Sequence, residues 1–317
     1  MTATAPPHAS SAGERRATLA ALAAVALWST VATAFKLGLS VLAPLQLLLA
    51  ATLVSTAVFI AAAAVAGQWR FDRRELIEAV PLGLANPLIY YLVLFEAYDR
   101  LPAQIAQPLN YTWAIALALL AVPVLGQPLT GRSIAGILLS YSGVVVLLSG
   151  AAPADLPRLD WVGVALALAS TLVWAGYWLA HARTRAAPAR LMALSFAAAL
   201  PIIAVLCALG PGLPPATWQT ALYGGWVGVV EMGVTFLLWQ KALRLTSSAA
   251  RIGQLIFLSP FLSLALIATV LGEAIQATSV AGLAVIIAGL IVTGRPHTSG
   301  EPAGGDRPSR PPNLEAG

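Results

Sequence analysis

The sequence predicts an all-α polytopic membrane protein of ten transmembrane helices, arranged as two five-helix repeats of inverted topology with both termini cytoplasmic. Three observations lead there: an apolar composition spread along most of the chain, a self-similarity at a fixed offset, and an uneven placement of Lys and Arg. The chain is 59% hydrophobic and 10% charged, with a mean hydropathy of +0.82, whereas soluble domains are about 25% charged. Roughly 20 apolar residues cross a bilayer. Ten runs of that order occupy 18–39, 43–66, 76–98, 102–125, 132–150, 160–181, 190–210, 217–240, 248–271 and 277–294. The tails, 1–16 and 295–317, are rich in Pro, Gly, Ser and charge, bury no apolar surface and are expected to be disordered.

The repeat is read by sliding the chain on itself. A shift of 146 residues places Trp28 on Trp174, Gly126 on Gly272, Gly136 on Gly282 and Gly143 on Gly289. A shift of 145 in the middle places Gly83 on Gly228 and Ala97 on Ala242. Residues 17–150 are therefore the first repeat and 160–294 the second, joined by an external linker at 151–159. Five spans per copy reverse the direction of the second.

The charges agree with that reversal. The loop after the second span, QWRFDRREL, carries three arginines, and its counterpart GPGLPPATWQT carries none. With a cytoplasmic N-terminus, 15 of the 18 Lys and Arg residues fall inside, Arg100 and Arg158 fall outside, and Lys36 snorkels from the end of the first span. This explains the net charge of +5 without nucleic acid. Arg15-Arg16 before an apolar stretch imitates a twin-arginine signal, but the stretch continues through FKLGLS and supplies a span that the repeat requires.

Several chemistries lack their residues. The one cysteine, Cys207, lies in an apolar span, and His8, His181 and His297 are scattered, so neither a metal site nor a cofactor is expected. An intramembrane enzyme would need a base beside Ser170, Ser259 or Ser263, and no histidine is placed at that depth. No GxxxxGK[ST] loop is present for a nucleotide. Inverted repeats instead give a protein two related conformations around a site near the bilayer midplane, which points to secondary transport. A channel is the competing reading, separable by whether flux saturates.

Certain segments resemble the EamA-type carriers of the drug/metabolite transporter superfamily. The stretch Ala242–Gly294, ALRLTSSAARIGQLIFLSPFLSLALIATVLGEAIQATSVAGLAVIIAGLIVTG, resembles that family's ninth and tenth spans, with Ser259-Pro260 and Gly272-Glu273. LWSTVATAFKLGLSVLAPLQ resembles its first, with Trp28, Lys36 and Pro44. The resemblance implies ten helices, an inverted repeat, and export or exchange of a small metabolite through a cavity lined by spans three, four, eight and nine. The chain departs from the family at Gly126-Gln127, the counterpart of Gly272-Glu273, and in a more polar fourth span.

Candidate site residues follow from polar groups at membrane depth. In the eighth span, which contains GVVEMGVTFLLWQKALRL, Gly224, Gly228, Glu231 and Thr235 recur at steps of four, three and four and share one helix face. Small residues favour a protein-facing side, so Glu231 is expected to point inward. An ionised group at mid-span costs about 2.5–3.5 kcal/mol, and a carboxyl group out of water accepts a proton more readily. Glu231 is thus a candidate for binding a substrate cation or a proton; an interhelical structural role competes. The 145 shift maps it to Asn86, ahead of Pro87, and maps Thr235 to Tyr90.

In the fourth span Gln104, Gln107 and Tyr111, with Asn110, form a polar face around Pro108. Trp28 and Trp174 lie centrally rather than at the interface where tryptophan collects. Arg251 and Gln254 flank Gly253 in the ninth span. The expected partners are a small-molecule substrate, amino-acid-like or drug-like, and the bilayer, with monomer and homodimer both open. Sixteen Arg against two Lys suggests a bacterial inner membrane.

Overall fold

The computed structural model describes residues 11–68, 72–125, 130–148, 159–181, 183–184, 186–246, 252 and 255–294. Eight helices are long and apolar enough to cross a membrane: α1 (Ala12–Leu39), α2 (Pro44–Val65), α3 (Arg73–Arg100), α4 (Ala103–Val124), α5 (Gly131–Leu148), α6 (Trp161–His181), α7 (Pro188–Leu209) and α8 (Trp218–Ala242). Two shorter apolar helices follow, α9 (Leu255–Leu271) and α10 (Ala277–Val292). No strand occurs among the described residues. The outer surface is apolar: Leu138, Val145, Leu172 and Val205 are all more than half exposed, a surface suited to lipid rather than water.

The helices pair in a pattern that is preserved when the two halves are exchanged. Contacts of α1 with α8 match those of α6 with α3, α2 on α8 matches α7 on α3, and α4 on α6 matches α9 on α1. The remaining pairs, α2 with α7 and α5 with α10, join equivalent helices. In the α5–α10 pair the glycines that marked the repeat are the contact itself. A Cβ on Gly143 would lie 2.6 Å from Ile286 N and 2.7 Å from Gly282 O, and one on Gly289 would meet Gly136 O at 2.5 Å. Ser140 Oγ adds a hydrogen bond to Ile286 O at 3.0 Å. Partners rise along one helix as they fall along the other, so α5 and α10 run antiparallel; backbones this close maximise dispersion where lipid provides no hydrophobic drive.

Several of the helices that meet at the centre are not regular. In α3 the residue before a proline is pushed out of the helical region, and Asn86 ahead of Pro87 adopts φ −146°, ψ 116°. In α8 the turn widens over Val227–Val234, and Thr235 Oγ1 donates to Val230 O, five residues back. Such widened turns recur at functional sites. In α4 the helix resets at Thr112, whose hydroxyl bonds Leu109 O at 2.7 Å.

The turn joining α3 to α4 is locked from both sides. Lys36 does not snorkel outward: its Nζ donates to Tyr98 O at 2.8 Å and Leu101 O at 3.1 Å, satisfying carbonyls at the end of α3. A cation also suits the negative end of the helix dipole. From the other half, Glu273 accepts from the first N–H groups of α4, Ala103 N at 3.0 Å and Gln104 N at 3.3 Å. Gly272 makes this reach feasible, because at φ +68° it ends α9 in a left-handed conformation that a residue with a Cβ resists.

Candidate functional site

Six helices, α1, α3, α4, α6, α8 and α9, enclose a central cavity of about 370 Å³, within the range of small-molecule sites. Its walls are chiefly aromatic: Trp28 and Phe35 from α1, Tyr90 and Tyr98 from α3, Tyr111 and Trp113 from α4, Trp174 and Trp178 from α6, Phe257 from α9, and Trp239 at the end of α8. The rings pack on one another before any ligand arrives. Trp174 stacks on Tyr90 with centroids 4.4 Å apart and an interplanar angle of 27°, and Trp28 meets Trp239 at 5.4 Å. Such pairs contribute roughly 0.5–1.5 kcal/mol each beyond area burial, so the wall is preformed.

Glu231 is the one acidic residue in the described lining. It is 8% exposed, and its Oε1 accepts from Tyr91 Oη at 3.1 Å. Tyr91 is fully buried behind the cavity and braces the carboxylate from the rear. Oε2 makes no hydrogen bond of regular geometry, although the Trp28 indole is directed at the same carboxyl group. The glycine stripe does not face the cavity; Gly224 and Gly228 press on α2, with a Cβ on Gly228 placed 2.5 Å from Ala51 O and 2.7 Å from Val54 Cβ. Close approach to α2 and the widened turn together seat Glu231 in the cavity wall.

The fourth helix supplies the neutral polar groups. Gln107 lines the cavity with its Oε1 unpartnered. Asn110 donates from Nδ2 to Ser170 Oγ at 3.0 Å and accepts from Tyr90 Oη at 3.5 Å, which ties α4 to α6 and α3.

Of the twelve residues singled out from the sequence, seven meet here: Glu231, Gln107, Asn110, Tyr111, Trp28, Trp174 and Tyr90. Three lie elsewhere. Asn86 is fully buried outside the lining, with Tyr177 as its polar neighbour. Gln104 clamps α4 to the second half, accepting from Gln276 N at 3.1 Å and Ser279 Oγ at 3.0 Å and donating to Ala274 O at 3.1 Å. Thr235 points back into its own helix. Arg251 and Gln254 fall outside the described residues. Phe35, Tyr98, Trp113, Trp178, Trp239 and Phe257 were not singled out; Trp178 follows Trp174 by one turn and Tyr98 follows Tyr90 by two, a periodicity visible in the sequence.

Among the described residues no group of three or more His, Cys, Asp or Glu is arranged to hold a metal ion.

Two matching helical halves packed around an aromatic cavity with one buried carboxylate define a polytopic membrane protein with an internal cavity. The model of the EamA-like transporter family matches residues 15–149 and again 161–295, and the chain belongs to that family. The resemblance seen in the separate segments therefore extends over both repeats. The chain is similar to a protein of Ancylobacter novellus named aromatic amino acid exporter YddG, with 26% identity over 258 residues that cover 78% of this chain and 86% of that one. A solved crystal structure superposes with a TM-score of 0.60 at 24% identity, covering 87% of this chain and 97% of the other, and shares the fold.

Proposed function

We propose that the protein is a secondary transporter of a bacterial cytoplasmic membrane that exports a small organic molecule built around an aromatic ring, by alternating access and in exchange for a proton at Glu231. The observation that carries this reading is a single buried carboxylate with one oxygen outside any regular hydrogen bond, in a cavity walled by aromatic rings. Aromatic faces complement a planar ring, and the carboxylate offers a fixed acceptor for the molecule's polar end. The name of the Ancylobacter novellus relative, aromatic amino acid exporter, favours the same class of cargo.

In the topology that the Lys and Arg residues favour, α9 and α10 complete ten spans, both termini are cytoplasmic, and the antiparallel pairing of α5 with α10 is that of an inverted repeat. The α3–α4 turn then faces outside, where Lys36 and Glu273 hold it shut above Phe35 and Tyr98. The opposite end of the cavity, at Trp239, Ile256 and Phe257, faces the cytoplasm, so cargo enters from within the cell. Binding displaces the proton from Glu231; parting of the Lys36 and Glu273 contacts opens the outer end; a proton taken up outside releases the cargo and resets the cycle. Exchange is obligatory because both occupants need the same carboxylate oxygens.

Purified full-length protein in liposomes with an imposed pH gradient, assayed with radiolabelled aromatic amino acids and amines, tests this. Saturable flux driven by the gradient is expected, with loss of the drive in Glu231→Gln. Undiminished pH-driven flux in that variant refutes proton exchange at Glu231, and non-saturating conductance would mark a pore.

A further inference from the structure

Resting on the reading of the cavity as the transport site, we infer that the cargo occupies it as a monocation: an arylalkylamine or similar aromatic organic cation, in preference to the zwitterionic amino acid. Two buried acceptors in the cavity wall lack donors of regular geometry. Glu231 Oε2 and Gln107 Oε1 have no hydrogen-bond partner of regular geometry, the Trp28 indole being directed at the Glu231 carboxyl group, and their residues are 8% and 5% exposed. Buried acceptors left without donors cost free energy that a ligand N–H can recover. One of the two donors of the Asn110 amide, a group that would donate to a substrate carboxylate, is held by Ser170.

The walls argue the same way. Trp28, Trp174 and Tyr90 line the same cavity as the carboxylate, and aromatic rings attract an ammonium through their quadrupole. An ammonium held by Glu231 within this aromatic wall is stabilised twice. A carboxylate on the same ligand is disfavoured twice, by repulsion from Glu231 in a medium of low dielectric and by loss of its hydration. No Lys or Arg is among the described lining residues to offset either cost.

The site also discriminates by charge count. Discrimination comes from what is repelled as much as from what is bound, and a zwitterion brings to Glu231 one attraction and one repulsion where an amine brings only the attraction. Charge, rather than ring size, is therefore the main selector, and related aromatic amines of different ring structure are expected to share the site.

The test is competition in the same liposomes among three probes that share one ring: tyramine, tyrosine and tyrosine methyl ester, the last a cation without the free carboxylate. Tyramine and the ester are expected to be transported with at least tenfold lower KM than tyrosine, and Glu231→Gln is expected to erase that preference while leaving the protein monodisperse. A KM for tyrosine equal to or below that for tyramine overturns the inference and leaves the transport site standing. If none of the three is bound or moved by folded wild-type protein, the aromatic-cargo reading fails and this inference with it. A preference for tyramine that persists in Glu231→Gln also overturns it, because the selection then does not come from the carboxylate.

Discussion

The third helix of each half, α3 at Asn86 and α8 at Glu231, began as the same segment and now does two different things. At Asn86 the helix breaks, and the asparagine is buried outside the cavity. At Glu231 the helix stays wound but widens, and the carboxylate enters the cavity. The next helical position is exchanged: Tyr90 lines the cavity in the first half, while its counterpart Thr235 bonds its own backbone. Each half thus contributes a different chemistry at one level, a ring from α3 and a charge from α8. By contrast, Trp28 and Trp174 kept both identity and role, and the glycines of α5 and α10 kept their packing. Duplication set the frame, and divergence within the matching third helices made the site asymmetric.

That comparison can be broken most directly at its charged member. Glu231→Gln removes a charge-assisted contact of about 1.5–3 kcal/mol, so gradient-driven transport is expected to fall by about 10- to 100-fold, measured as initial flux. A comparable effect on stability rather than transport is expected in the conserved frame. Gly282→Leu drives a side chain into Leu147 N and Gly143 O, at 2.6 and 2.7 Å from the Cβ position. Overpacking of about 1–3 kcal/mol should appear as a lower Tm in detergent. A Tm equal to wild type would show that α5 and α10 separate more easily than their backbone contact implies.

Smaller effects sharpen the comparison. Trp174→Ala removes a buried ring that stacks on Tyr90, and a loss of about 0.5–2 kcal/mol in cation–π attraction predicts a higher KM for an aromatic amine together with a lower Tm, with Trp174→Phe intermediate in both. Gln104→Ala dissolves the clamp between α4 and the α9–α10 link and should lower stability by about 1 kcal/mol, read as a shift in thermal unfolding. Asn86→Ala is expected to change transport least, leaving the initial flux of folded protein close to that of wild type. An Asn86 effect as large as that of Glu231 would mean that the two halves share the chemistry equally.

Much of the frame was legible in the sequence because its signals are local or strictly periodic. Hydropathy marked the helices to within a few residues, and the 146-residue offset located the glycines on which α5 and α10 cross. The site was legible where burial of a polar group is intrinsically costly, hence Glu231, Gln107 and Asn110. It was less so where tertiary geometry decides. An ideal wheel puts Thr235 beside Glu231, but the widened turn between them rotates its hydroxyl to Val230. Lys36 near a span end suggests snorkelling, and only the position of the α3–α4 turn shows that helix carbonyls take its ammonium. Phe35 and Phe257 carry no signal of their own, since any apolar span contains such residues and packing alone selects which face the cavity.

The central claim is that cargo and proton alternate at one carboxylate. Proton release on adding tyramine to purified protein in weakly buffered detergent solution, followed with a pH dye over a series of starting pH values, tests it most directly. Release rising to at most one proton per protein at a pH where Glu231 is protonated, and none from Glu231→Gln, is the predicted result; equal release from both proteins, or none from wild type that binds tyramine at every pH tested, would contradict it.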